Sequence, residues 1–180
     1  MFILTIGIFL MAASTPCLLN PLLKGDEFEK QQQWDKALHY YDISCQREEK
    51  LGCYRAALIA ENLDKPKAIK KYMERACQLG EATACYDLAV TAEHNKADTK
   101  VIQEYYRQAC MQDHGIACRS VASIVNDPKK ALHYYHQGCY VGDGSSCVKA
   151  SELVQSKQEK AYYYQQACMY DMPEYCNIIK

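Results

Sequence analysis

The amino-acid sequence predicts an all-α protein, an α/α superhelix in which each helix pair of a solenoid is closed by a disulfide. Three observations carry that reading. A C-x7-C pair occurs five times, at Cys45/Cys53, Cys77/Cys85, Cys110/Cys118, Cys139/Cys147 and Cys168/Cys176, and uses ten of the eleven cysteines. The first members lie 32, 33, 29 and 29 residues apart and the second members keep the same steps, so the chain repeats itself. Around every pair, aromatic and small residues recur at i, i+3, i+4, i+7, one face of an α-helix. No segment alternates with period two as a half-buried strand would.

Taken in order, residues 20–180 read as a single solenoid of about five repeats. Pro21 opens a helical pattern through Leu22, Leu23 and Phe28 that ends in Gln31-Gln32-Gln33. Each repeat then begins with a tyrosine-bearing helix. Five residues before the first cysteine stand Tyr40, Tyr72, Tyr105, Tyr134 and Tyr163; four before it stand Tyr41, Met73, Tyr106, Tyr135 and Tyr164. The residue just before it is always small: Ser44, Ala76, Ala109, Gly138, Ala167. Eight before it are Ala37, Ile69, Ile102 and Ala131, with Lys160 departing from the pattern.

A second helix follows each second cysteine. Its stripe is built of small residues, such as Ala56, Ala57 and Ala60 in the first repeat and Val121, Ala122 and Val125 in the third, which permit close helix approach. Asp127-Pro128 supplies a cap followed by proline at the first helical position, and Asp64 to Pro66 offers a similar start. Asp98 and Ser156 are candidate caps for later tyrosine helices. Glycines 52, 80, 115, 142 and 144 gather between the paired cysteines, where the chain must reverse. The fifth repeat runs out after Cys176, so its second helix is truncated.

Composition bounds the function. With 21 basic and 22 acidic residues the net charge is −1, which argues against a nucleic-acid binder, since that needs a basic stripe to displace counterions. Residues 1–14 read as a signal peptide, with residue 19 as its furthest end. The apolar run is too short to span a bilayer comfortably and ends in small residues, Ala12 and Ser14 sitting at −3 and −1 of a cut before Thr15. No Lys or Arg precedes that run, which leaves an uncleaved anchor and a lipoprotein acylated at Cys17 as alternatives. Pro16, where a lipidation site wants Gly or Ala, speaks against the latter.

Cysteine usage points to an oxidising compartment, hence to a secreted or periplasmic protein. The first cysteine falls in the last turn of one helix and the second in the first turn of the next, and the seven residues between them make a tight reversal, so the two Cα atoms can approach within the ~4.4–6.8 Å a disulfide needs. Five such bridges contribute on the order of 10 kcal/mol in the chain-entropy model, as much as a whole small protein has. Metal binding is the competing reading, but one hairpin supplies two thiolates where a zinc site takes four ligands. A catalytic thiol would have to be unpaired.

The sequences Tyr105-Tyr106-Arg107-Gln108-Ala109-Cys110 and Tyr163-Tyr164-Gln165-Gln166-Ala167-Cys168, each followed by C-x7-C into a further helix, resemble the Sel-one-like repeat. More narrowly they are similar to the cysteine-rich Hcp proteins of Helicobacter, a family of secreted bacterial repeat proteins. The resemblance covers about residues 33 to 180. It implies a TPR-like α/α superhelix, one disulfide per repeat, and export. It also implies a hydrolase label, since that family is commonly classed among β-lactamases and penicillin-binding proteins, while other Sel-one-like proteins are interaction scaffolds. The repeats here are shorter than the family's, and its Gly-rich loop is missing.

Two constellations could carry chemistry. Ser146-Cys147-Val148-Lys149 reads S-x-x-K, the spacing that sets a lysine near a serine nucleophile in penicillin-recognising enzymes, but no S-D-N or K-T-G companion is present. Ser146 also occupies a position held elsewhere by Gly52, Ala84 and Ala117, so a small residue there answers a packing need. His133 and His136, at i and i+3, could form a two-ligand metal face, but Lys71, Glu104 and Tyr162 replace His133 in other repeats, as on a solvated face. The tyrosines read mostly as core, with some phenols free to line a concave surface. The expected function is therefore a scaffold that binds a protein, a peptide or a peptidoglycan fragment on its concave face. A β-lactam-binding hydrolase is the alternative. No cofactor, metal, nucleic acid or membrane span in the processed chain is expected.

Overall fold

The computed structural model describes residues 20–170 and 172–178. The expected signal peptide and Cys17 lie outside the described residues. Ten α-helices follow one another among them: α1 (Pro21–Lys30), α2 (Trp34–Gln46), α3 (Lys50–Asn62), α4 (Pro66–Gln78), α5 (Ala82–His94), α6 (Thr99–Met111), α7 (Gly115–Ile124), α8 (Pro128–Tyr140), α9 (Gly144–Leu153) and α10 (Lys157–Met169). A single 3₁₀ turn, Pro173–Tyr175, stands where a further small-residue helix would begin. Each helix packs on its chain neighbour, and α2 on α4, α6 on α8 and α8 on α10 pack side by side. That is an α/α superhelix, in which each repeat buries its stripe against the next.

The even-numbered helices carry the tyrosines and the odd-numbered ones from α3 to α9 the small residues. The reason they lock together is visible in burial. Ala56, Ala57, Ala60, Ala76, Ala84, Ala89, Ala109, Ala117 and Ala150 are fully enclosed. Methyl-sized side chains let two backbones come close enough for dispersion contacts to accumulate. α1 covers the open side of the first repeat: Gly25 lies under the Tyr41 ring, and a Cβ there would stand 2.5 Å from it.

Every full reversal between paired helices is built the same way. The third residue past the first cysteine adopts positive φ: Glu48 (62°), Gly80 (84°), Asp113 (62°) and Gly142 (97°). The next N–H reaches back to the carbonyl just before the cysteine, as Glu49 N to Ser44 O (3.2 Å) and Asp143 N to Gly138 O (2.9 Å) show. This is the Schellman closure of a helix C-terminus. Of the five glycines expected to turn the chain, only Gly80 and Gly142 do so; Gly52, Gly115 and Gly144 lie inside the helices that follow.

The caps divide similarly. Asp127 accepts from Lys129 N and Lys130 N, Asp98 from Lys100 N, and Ser156 from Glu159 N. Asp64 does not cap α4; it takes φ 50° to terminate α3, and Lys65 holds the cap position without a side-chain bond. The change of step from 32–33 to 29 residues is explained by the small-residue helices, since α3 and α5 have 13 residues and α7 and α9 have 10.

Candidate functional site

Five disulfides run along the edge of the reversals, Cys45–Cys53, Cys77–Cys85, Cys110–Cys118, Cys139–Cys147 and Cys168–Cys176, with Cα–Cα distances of 4.4, 4.7, 4.6, 4.6 and 4.9 Å. Each ties the last turn of a tyrosine helix to the segment that follows its own reversal. No group of three or more His, Cys, Asp or Glu able to hold a metal occurs among the described residues.

In the four full repeats the residue before the first cysteine and the residue before the second are both small, and where one is serine the other is a glycine packed against it. The pairs are Ser44/Gly52, Ala76/Ala84, Ala109/Ala117 and Gly138/Ser146. A Cβ on Gly52 would overlap the Ser44 side chain, and one on Gly138 would stand 2.5 Å from Ser146 Oγ. Each serine hydroxyl turns to the acid that starts the next helix: Ser44 donates to Glu49, and Ser146 Oγ donates to Asp143 Oδ2 at 2.5 Å.

This pairing decides how Ser146 and Lys149 stand. Ser146 is 0% exposed, and its Asp143 also accepts from Ser146 N (3.0 Å) and from Arg119 Nε (2.8 Å). Lys149 is exposed and donates to Glu152 at 2.9 and 3.1 Å, a pairing that raises the pKa of its ammonium. Burial and a carboxylate cap hold the serine in place, while an ion pair occupies the lysine. The structure engages the two side chains with different partners and does not bring them to one open site.

The histidines separate as well. His133 and His136 are exposed, and His136 Nδ1 lies 3.0 Å from the Tyr163 hydroxyl on α10. His114 is the one that sequence reasoning passed over. It caps α7, its Nδ1 accepting from Ala117 N at 3.2 Å, and its ring stacks on Tyr86 at 4.5 Å. Burial lowers its pKa, and the nearby carboxylates of Asp87 and Asp143 oppose that shift.

Four tyrosines form a buried ladder: Tyr41, Tyr72, Tyr106 and Tyr163. Their phenols are not orphaned. The single Tyr41 hydroxyl lies against both Asp26 (2.7 Å) and Glu29, either of which can accept its proton, while Tyr72 donates to Asp42 (2.7 Å) and Tyr106 to Glu93 (2.8 Å). Burial first, then these carboxylates, push the three phenol pKa values upward, so the hydroxyls stay protonated as donors between helices.

Two grooves open on the surface. One, of about 510 Å³, lies between α2 and α4 and is lined by Lys67, Lys70, Lys71 and Arg75 together with Asp42 and Glu74. The other, of about 780 Å³, lies where α3 meets α4 and α5 meets α6, and is lined by Leu58, Ile69, Met73, Leu88, Val90 and Val101 among others. No described helix is long and apolar enough to cross a membrane.

No protein-family model and no curated protein matches this chain. Solved structures do. A Sel1 repeat protein from Oxalobacter formigenes superposes with a TM-score of 0.71 at 16% identity, over 88% of this chain and 74% of that one. The immunity protein Pa5087 from Pseudomonas aeruginosa gives 0.53 at 19% identity, over 76% of this chain and 60% of that one. At such identities the likeness speaks for fold, and in fold this chain is a Sel1-like helical repeat protein with one disulfide in each repeat.

Proposed function

We propose that this protein is an exported, disulfide-stapled repeat scaffold that binds a partner protein outside the cytoplasm. The observation that carries the reading is the bridge in every repeat: it fixes each helix pair covalently and leaves the exposed faces free to vary around an unchanging frame. Bridges of this density persist in an oxidising compartment, which fits the signal-peptide pattern at the N-terminus. A rigid array with open grooves loses little conformational freedom on binding, and this favours affinity. Ser146, enclosed and hydrogen-bonded to Asp143, gives no support to a serine hydrolase.

The test is the intact mass of the exported protein without reductant, after iodoacetamide and again after incubation with a penicillin. The ten paired cysteines should remain unalkylated and no adduct should form. Widespread alkylation refutes the exported, bridged state, and a penicilloyl ester on a serine makes the protein an enzyme.

A further inference from the structure

We infer that the exposed face of the tyrosine helices docks an acidic, apolar-anchored segment of a partner protein; the inference rests on the scaffold reading above. Near-neutral net charge conceals a strong segregation. Helices α2, α4, α6, α8 and α10 hold 11 Lys and Arg against 5 Asp and Glu, whereas α3, α5, α7 and α9 hold 4 of each. The compensating negative charge sits on the reversals, at Glu48, Glu49, Glu81, Asp113 and Asp143.

The tertiary arrangement turns this count into a surface. Relative to the first cysteine, offsets −10, −6, −3 and +1 lie on the side of the tyrosine helix opposite its buried stripe. Offset −10 carries Lys67, Lys100 and Lys129 on three successive tyrosine helices, all exposed. Among the described residues none of the three makes an ion pair, in contrast to Arg75, which pairs with Glu48, and Arg107, which pairs with Glu104. Offset +1 carries Met111, Tyr140 and Met169 on α6, α8 and α10, which are 59, 78 and 65% exposed. In the first two repeats the same offset holds Gln46 and Gln78.

With Lys71, Glu74, Glu104 and Arg107 lying between them, the face presents a row of unpaired ammonium groups and a row of exposed, largely apolar side chains. They are separated by eleven residues along the helix, about 16 Å at 1.5 Å per residue. A polypeptide can meet both, placing carboxylates against the lysines and aliphatic or aromatic side chains against Met111, Tyr140 and Met169. An anionic glycan would satisfy the lysines and leave the apolar row in water. The cationic groove between α2 and α4 continues the basic side of the same face.

The test uses the full oxidised protein and four probes: a glutamate–tyrosine copolymer, polyglutamate, polygalacturonate and polylysine. The copolymer should bind tightest and polylysine not at all. Reversal of the lysine row (Lys67→Glu, Lys100→Glu, Lys129→Glu) should weaken copolymer binding about tenfold or more, three exposed charge contacts being lost. Replacement of Met111, Tyr140 and Met169 by Ser should erase the preference for the copolymer over polyglutamate. A control reversal on the small-residue helices (Lys50→Glu, Lys149→Glu) should change little, and circular dichroism verifies that every variant folds. Equal loss in the control, equal binding of polygalacturonate, or no binding of the copolymer overturns the inference. A cross-linked partner protein whose binding survives the lysine reversal also overturns it, while leaving the scaffold function standing.

Discussion

Gly138 and Ser146 offer the sharpest test of how these repeats are packed. In Gly138→Ala the new Cβ would stand 2.5 Å from Ser146 Oγ and 3.0 Å from Ser146 Cβ. Overpacking of this kind costs about 1–3 kcal/mol. Alanine in place of a mid-helix glycine returns roughly 0.5–1 kcal/mol of it. The single variant should thus lose about 1 kcal/mol net. Ser146→Ala removes the hydroxyl donated to Asp143, at a cost of about 1 kcal/mol, since that carboxylate keeps the Ser146 amide and Arg119.

The double variant recreates the Ala/Ala pair that Ala76/Ala84 and Ala109/Ala117 already use. Its bridge has the same 4.6 Å Cα–Cα distance as that of the third repeat, so the frame already suits an Ala/Ala pair. With the oxygen gone and the helix gain retained, it should unfold within about 0.5 kcal/mol of the parent protein, a coupling of about 1–2 kcal/mol between the two sites. Urea unfolding of the oxidised protein, followed by circular dichroism, measures all four corners of the cycle. If the two costs simply add, within about 0.5 kcal/mol, the volume-compensation argument is wrong, and with it the structural account of Ser146.

Four further outcomes are expected. Tyr106→Phe should lower stability by about 1–2 kcal/mol in the same urea assay, because the phenol's bond to Glu93 is charge-assisted. Replacing Cys110 and Cys118 together by Ser should cost roughly 2–4 kcal/mol and lower the melting temperature, read by calorimetry against the bridged protein. Burial favours neutral His114, so its folded pKa lies below the unfolded value of about 6.5 and the unfolded chain binds more protons in between. Its stabilisation is complete above about pH 6.5 and is lost as the pH falls toward the depressed native value; His114→Asn, which keeps an N-cap, should flatten that part of a stability–pH profile. Gly25→Ala should destabilise the packing of α1 on α2 by about 1–3 kcal/mol, since its Cβ would strike the Tyr41 ring, and hydrogen exchange of α1 amides should report the loosening.

Much of this protein was written locally. Helix stripes, the C-x7-C reversal and its bridge involve residues at most eight apart in sequence, and such features depend on backbone propensity and short-range geometry that a sequence displays directly. The same holds for the caps at Asp98, Asp127 and Ser156. Tertiary structure decided what depends on partners far along the chain or across a helix interface. Only packing selects which of the two aromatic offsets is enclosed: −4 at Tyr41 and Tyr106, −5 at Tyr72 and Tyr163, and neither at Tyr134 and Tyr135. Motif spacing could not tell that Ser146 fills the space left by Gly138, because a motif does not register the residue facing it across the reversal. Nor could net charge reveal that lysines from three repeats fall in one row and apolar side chains in another. Sequence sets which residues recur at each offset; only the stacking of helices turns a recurrence along the chain into a surface, because side chains about thirty residues apart become neighbours when the repeats that carry them pack.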